Sequence, residues 1–122
     1  MIEKELKVVR WIGSSYRDLK SLPIDAKKVF GFALDQAQRG GKHPDAKPLI
    51  GFGGAGVMEI VYDYLGDTYR AVYTIIFPHI VYVLHVFKKK AKSGIRAPKR
   101  DIELIQRRFK DAKYDYHNLK TN

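Results

Sequence analysis

VMEIVYDYLGDTYRAVYTIIFPHIVYVLHVF, residues 57–87, is the stretch on which the fold turns. Three β-branched and aromatic runs, Val57–Tyr64, Thr68–Phe77 and Ile80–Phe87, are separated by Leu65-Gly66-Asp67 and by Pro78-His79. Runs of this kind, broken by so few turn residues, predict hairpins and hence an antiparallel meander. Strand alternation puts Val57, Glu59, Val61 and Asp63 on one face of the first run and Met58, Ile60, Tyr62 and Tyr64 on the other. The third run is apolar on both faces, which predicts a central strand covered from both sides. Alternation there places His85 on the face of Val83 and Phe87.

Working outward, residues 42–56 are rich in Gly and Pro and read as a loop. Before it, Pro23 suits the start of a helix running to about Arg39. Ala26, Val29, Phe30, Ala33, Leu34 and Ala37 recur at three- and four-residue steps and mark its buried face. A shorter helix over Tyr16–Leu22 and a first strand over Leu6–Ile12 precede it, with Gly13 between them. Beyond the meander, Pro98 opens a last helix to about Tyr116, with Ile102, Ile105, Phe109, Ala112 and Tyr116 as its stripe. The expected fold is α+β: a small antiparallel sheet, made of the N-terminal strand and the meander, packed with two N-terminal helices and one C-terminal helix. No repeat or linker divides the 122 residues, so 1–122 reads as a single domain.

The composition narrows the function. The absence of Cys excludes a disulfide scaffold and a thiol nucleophile. The N-terminus carries no apolar export signal, and the longest apolar stretch, 71–87, is short and interrupted, so no membrane span and a cytoplasmic protein are expected. Lys and Arg number 23 against 13 Asp and Glu, a formal charge of +10 that calls for a polyanionic partner. Seven of those cations, Lys88, Lys89, Lys90, Lys92, Arg96, Lys99 and Arg100, crowd into residues 88–100 with no acid among them.

Gly51, Gly53 and Gly56 have the G-x-G-x-x-G spacing. A β-branched run follows them rather than a helix, so a turned approach to a strand is expected in place of a nucleotide site. His43, His79, His85 and His117 show no metal-ligand spacing, and neither a metal nor another cofactor is expected. Arg70 sits mid-strand within Tyr69-Arg70-Ala71-Val72-Tyr73, where a charged side chain must face solvent, pair or line a site.

The run Tyr69–Tyr73, followed by Val83–Lys92 (Val-Leu-His-Val-Phe-Lys-Lys-Lys-Ala-Lys) and then Pro98 and a helix, resembles the RelE/ParE toxin superfamily and within it the phage-derived HigB-like branch. Gly41–Leu49, Gly51–Gly56 and Asp67–Arg70 fit the same branch, and the resemblance spans roughly Trp11–Arg108. It implies a RelE-like fold and the toxin of a type II toxin–antitoxin pair. Such a toxin is a metal-independent mRNA endoribonuclease, often ribosome-associated, whose partner is a helix-turn-helix antitoxin. In that chemistry the RNA 2′-OH attacks the adjacent phosphate. The resemblance implies that Arg70 holds the scissile phosphate in an open groove. Lys88 and Lys89 would stabilise charge or protonate the leaving 5′-oxygen, and Lys92 would contact RNA with the remaining cations of the run (Lys90, Arg96, Lys99 and Arg100). His85 would be the group titrating near neutrality, and Glu59 an orienting or base residue. The catalytic C-terminal tyrosine of some relatives has no clear counterpart, Tyr114 and Tyr116 being open to packing or antitoxin contact. A non-catalytic, gyrase-inhibitor-like member of the fold and a plain RNA-binding module are the alternative readings.

Overall fold

The computed structural model describes residues 5–54, 56–90 and 97–121. The elements in order are β1 (Val8–Trp11), α1 (Ser15–Lys20), α2 (Ile24–Gln38), β2 (Lys47–Pro48), β3 (Val57–Tyr64), β4 (Asp67–Thr74), β5 (Ile80–Lys90) and α3 (Lys99–Thr121). The expected α+β architecture of one sheet and three helices is present. Its five strands lie in the order β1-β5-β4-β3-β2. The meander β3-β4-β5 is antiparallel, but β1 runs parallel to β5, pairing Val8 with Ile80 and Trp11 with Val83. The sheet is therefore mixed rather than antiparallel throughout. A β-branched run carries no sign of its direction, and the helical crossover through α1 and α2 supplies the long connection that a parallel pair needs. Within the stretch expected to be a loop, Lys47 and Pro48 pair with Glu59 and Met58 and add a fifth strand at the edge.

Both faces of the sheet are covered. On one, Phe30, Ala33 and Ala37 of α2 pack on Ile60, Tyr73 and Val83. On the other, Ile105, Phe109 and Ala112 of α3 pack on Val57, Val72 and Leu84. The double coverage explains why β5 reads as apolar on both faces. Tyr82 ties α3 down further, its hydroxyl donating to Asp115 at 2.6 Å, while Arg10 pairs with the same carboxylate at 3.0 Å.

One irregularity decides where polar side chains point. Val72 opposes His85 and Tyr73 opposes Val83, so Leu84 is an extra residue in β5. A bulge of this kind reverses the alternation beyond it. His85 consequently shares the α3 face with Leu84 and Phe87, not the face of Val83 as strict alternation predicts. At the head of β3, Gly56 has φ +77° and a Cβ there would fall 1.6 Å from Ile76 Cγ2, so that position admits only glycine. The glycine run leads into β3 and meets no helix N-terminus. No helix among the described residues is long and apolar enough to cross a membrane.

Candidate active site

The register gathers charged residues on the α3 face of the sheet. Glu59 opposes Val72 on β4 and Lys47 on β2, while Arg70 opposes Val61 on β3 and Phe87 on β5. Residues paired across strands share a face, so Lys47, Glu59, Arg70, His85 and Phe87 project to one side. Arg70 Nη1 donates to Glu59 Oε2 at 2.8 Å, and the two side chains are 1% and 15% exposed. Arg70 is thus among the most buried side chains of the protein. The open groove expected around it is not what the structure shows. A guanidinium withdrawn this far from water is tolerable only when paired, and the Glu59 carboxylate supplies the pairing.

Glu59 is the half of the pair that reaches accessible space. It lines a cavity of about 530 Å³ between two walls. Lys47, Pro48, Leu49 and Ile50 form one, and Ala97, Lys99 and Ile102 at the start of α3 form the other. The first wall is held to the sheet by the β2–β3 pairing and by the Leu49 amide, which donates to Val57 carbonyl oxygen at 2.9 Å. Lys47 escaped the sequence reading because it lies in a Gly- and Pro-rich segment with the composition of a loop. Its only signal was the alternation of Lys47 and Pro48 ahead of an apolar Leu49.

His85 lies beside this cavity in a polar seam between β5, α3 and α1. Its Nε2 is 2.8 Å from Asp101 Oδ1, its Nδ1 is 3.4 Å from Arg108 Nη1, and its ring stacks on Phe87 at 4.4 Å. A guanidinium only donates, so Nδ1 accepts and the proton of the neutral ring sits on Nε2, pointing at Asp101. Arg108 also donates to Leu84 carbonyl oxygen at 3.0 Å and to Ser14 Oγ at 3.3 Å, and Ser14 in turn donates to Asp18 at 2.7 Å. Burial lowers the His85 pKa below its ordinary 6.5; Asp101 opposes that shift and Arg108 adds to it. The ring is neutral at pH 7, and Arg108 was not legible as its partner because the two stand 23 residues apart.

The lysine run is divided by the strand that carries it. Lys88 opposes Tyr69, whose ring is in the α2-side core, and pairs with Asp67 at 3.5 Å. Lys89 opposes Thr68 and shares the face of Arg70 and Phe87. The expectation that both serve one surface fails for this reason: alternation sends successive residues to opposite faces. Lys90 ends β5, and Lys99 and Arg100 begin α3. Lys92 and Arg96 lie outside the described residues. Tyr116 packs on Phe77 with ring centroids 4.9 Å apart, whereas Tyr114 is exposed, and neither lines the cavity. Among the described residues, no three His, Asp or Glu side chains are grouped to hold a metal ion.

Comparison with known protein families gives a match over most of the chain. The model of a family described as phage-derived protein Gp49-like matches residues 17–110, which include every strand from β2 to β5, the cavity walls, and the first half of α3. No curated protein and no solved structure matches the chain.

Two expectations follow from this geometry. Arg70→Ala empties a fully buried position and leaves the part-buried Glu59 carboxylate without its cation, and should cost about 3–5 kcal/mol of stability. Urea denaturation checks this, and an unchanged midpoint would contradict the structural role of the pair. His85, with its pKa lowered on folding, contributes stability that is fully present above pH 6.5 and lost as the pH falls below it, because the unfolded chain takes up the proton first. Wild type should therefore lose more stability than His85→Gln between pH 7.5 and 5.5; equal losses would contradict the assignment.

Proposed function

The chain belongs to the phage-derived Gp49-like family, part of the RelE toxin-like group, and from that premise we propose that it is the toxin of a type II toxin–antitoxin pair, a metal-independent endoribonuclease acting on mRNA. The observation that carries this reading is the Glu59 carboxylate, oriented by a buried arginine and presented to a cavity flanked by Lys47 and Lys99. The Tyr69–Tyr73 and His85–Lys89 segments support the HigB-like branch in particular. Its partners are then mRNA on the ribosome and a helix-turn-helix antitoxin that covers the cationic face.

Glu59 is the base in this reading. It takes the proton of an RNA 2′-OH, O2′ forms a bond to the adjacent phosphorus, and the P–O5′ bond breaks. The products are a 2′,3′-cyclic phosphate and a 5′-oxygen that receives a proton from a groove ammonium. Charge on the phosphorane is met by Lys89, which shares the Glu59 side of the sheet. Arg70 does not touch substrate while it is buried. It is a positioning residue that fixes the Glu59 rotamer. His85, sequestered between Asp101 and Arg108, anchors the first turn of α3 and so positions the wall that holds Lys99.

Induced expression should arrest growth and leave transcripts with 2′,3′-cyclic phosphate and 5′-OH ends. Glu59→Gln, which retains an acceptor for Arg70, should lower cleavage at least about 10²-fold with the fold intact. Lys89→Ala should lower cleavage more than Lys88→Ala, since only Lys89 shares the Glu59 face. Arrest with intact mRNA and damaged DNA would contradict the nuclease reading and support a gyrase-directed toxin.

A further inference from the structure

We propose that the cavity beside Glu59 is a guanine-binding subsite for single-stranded RNA, a reading that rests on the endoribonuclease function and names the base it selects. The cavity, about 530 Å³, is ample for one nucleotide. Its walls are aliphatic: Pro48, Leu49 and Ile50 on the β2 side, and Ala97 and Ile102 on the α3 side. Ile50 is 62% exposed, an aliphatic surface left in water at a cavity edge. Facing apolar walls suit the two flat faces of an unstacked base, and both walls are held in place. Leu49 is hydrogen-bonded to Val57, and the amides of Asp101 and Ile102 close the first turn of α3 on the Pro98 carbonyl oxygen at 3.0 Å.

The polar groups choose among the bases. Lys47 and Lys99 are pure donors, and neither has an ion-pair partner among the described residues. Glu59, the one acceptor side chain of the lining among the described residues, already receives Arg70 on Oε2. A site with two donors favours an edge with two acceptors. Guanine presents N7 and O6 together on the edge of a purine, whereas adenine sets an amino donor beside N7, and cytosine carries its N3 and O2 acceptors on a smaller ring with less surface for the aliphatic walls. Uracil has acceptors at O2 and O4, but the N3–H donor lies between them and its ring is likewise the smaller one. A guanine seated here brings its own ribose to Glu59, so cleavage follows the guanine nucleotide.

Uncleavable 2′-O-methyl pentanucleotides, with guanine or adenine at the centre of four uracils, test this through methyl NMR titration at low salt. The guanine oligomer should bind about tenfold more tightly and shift the methyl signals of Leu49, Ile50 and Ile102. Lys47→Met, at an exposed position, should bring the two affinities together while leaving the urea midpoint unchanged. Equal affinities in wild type, or a Lys47→Met loss that is the same for both oligomers, would overturn the subsite, the second marking Lys47 as a phosphate contact. Either of those results leaves the nuclease reading standing. Guanine preference with uncut transcripts in arrested cells would uphold the subsite and overturn the nuclease, and failure of both oligomers to bind would overturn both.

Discussion

A buried arginine must have its charge answered, and the arrangement of this protein's polar face follows from how Arg70 meets that demand. Its guanidinium is withdrawn from solvent in mid-sheet, and the Glu59 carboxylate one strand away accepts from it at 2.8 Å. The pairing works because β3 and β4 are in a register that sets Glu59 and Arg70 on one face, in adjacent cross-strand rows. A slip of one residue would send one partner to the α2 side and leave a bare charge in an apolar layer. The ion pair therefore specifies strand register as well as the orientation of a carboxylate. Its two ends differ in environment: the cation is sealed, while the anion borders the cavity. That asymmetry is what a positioned base needs, since the group that reacts must be reachable and the group that orients it need not be.

The second constraint is the bulge at Leu84. By turning His85 toward α3, it replaces an apolar contact with a polar seam in which Asp101, His85, Arg108, Ser14 and Asp18 are joined in sequence. The seam ties three elements that are distant in the chain and fixes the start of α3 against β5. Gly13, with φ +59° and a Cβ position 2.8 Å from the Arg108 guanidinium, leaves the room that this arginine requires. Cavity and seam are thus parts of one construction, the seam holding the wall and the ion pair holding the floor.

The sequence disclosed the meander, the three helices and their buried stripes, because hydrophobic periodicity is a local signal. It also pointed to Glu59, Arg70 and His85 through their family resemblance, and the structure brings these three to one face. What it did not disclose was non-local. The parallel pairing of β1 leaves no mark on a four-residue strand, and the bulge at Leu84 is invisible in a run that is apolar on both faces. The burial of Arg70 is set by tertiary packing around a residue that looks exposed by type. The same alternation that placed Glu59 correctly would have separated Lys88 from Lys89, had it been carried past the end of the apolar run. Lys47 was hidden by its loop-like surroundings, and Lys92 and Arg96 fall outside the described residues.

In the proposed reaction Glu59 and Arg70 act as one unit, the carboxylate reacting and the guanidinium orienting it. A double-mutant cycle on single-turnover RNA cleavage measures that coupling, with Glu59→Gln, Arg70→Met and the pair together, each assayed under conditions where it is folded. If the two residues are a unit, the double variant cleaves no more slowly than Glu59→Gln alone. Losses that multiply in the double variant would show instead that Arg70 acts independently of Glu59.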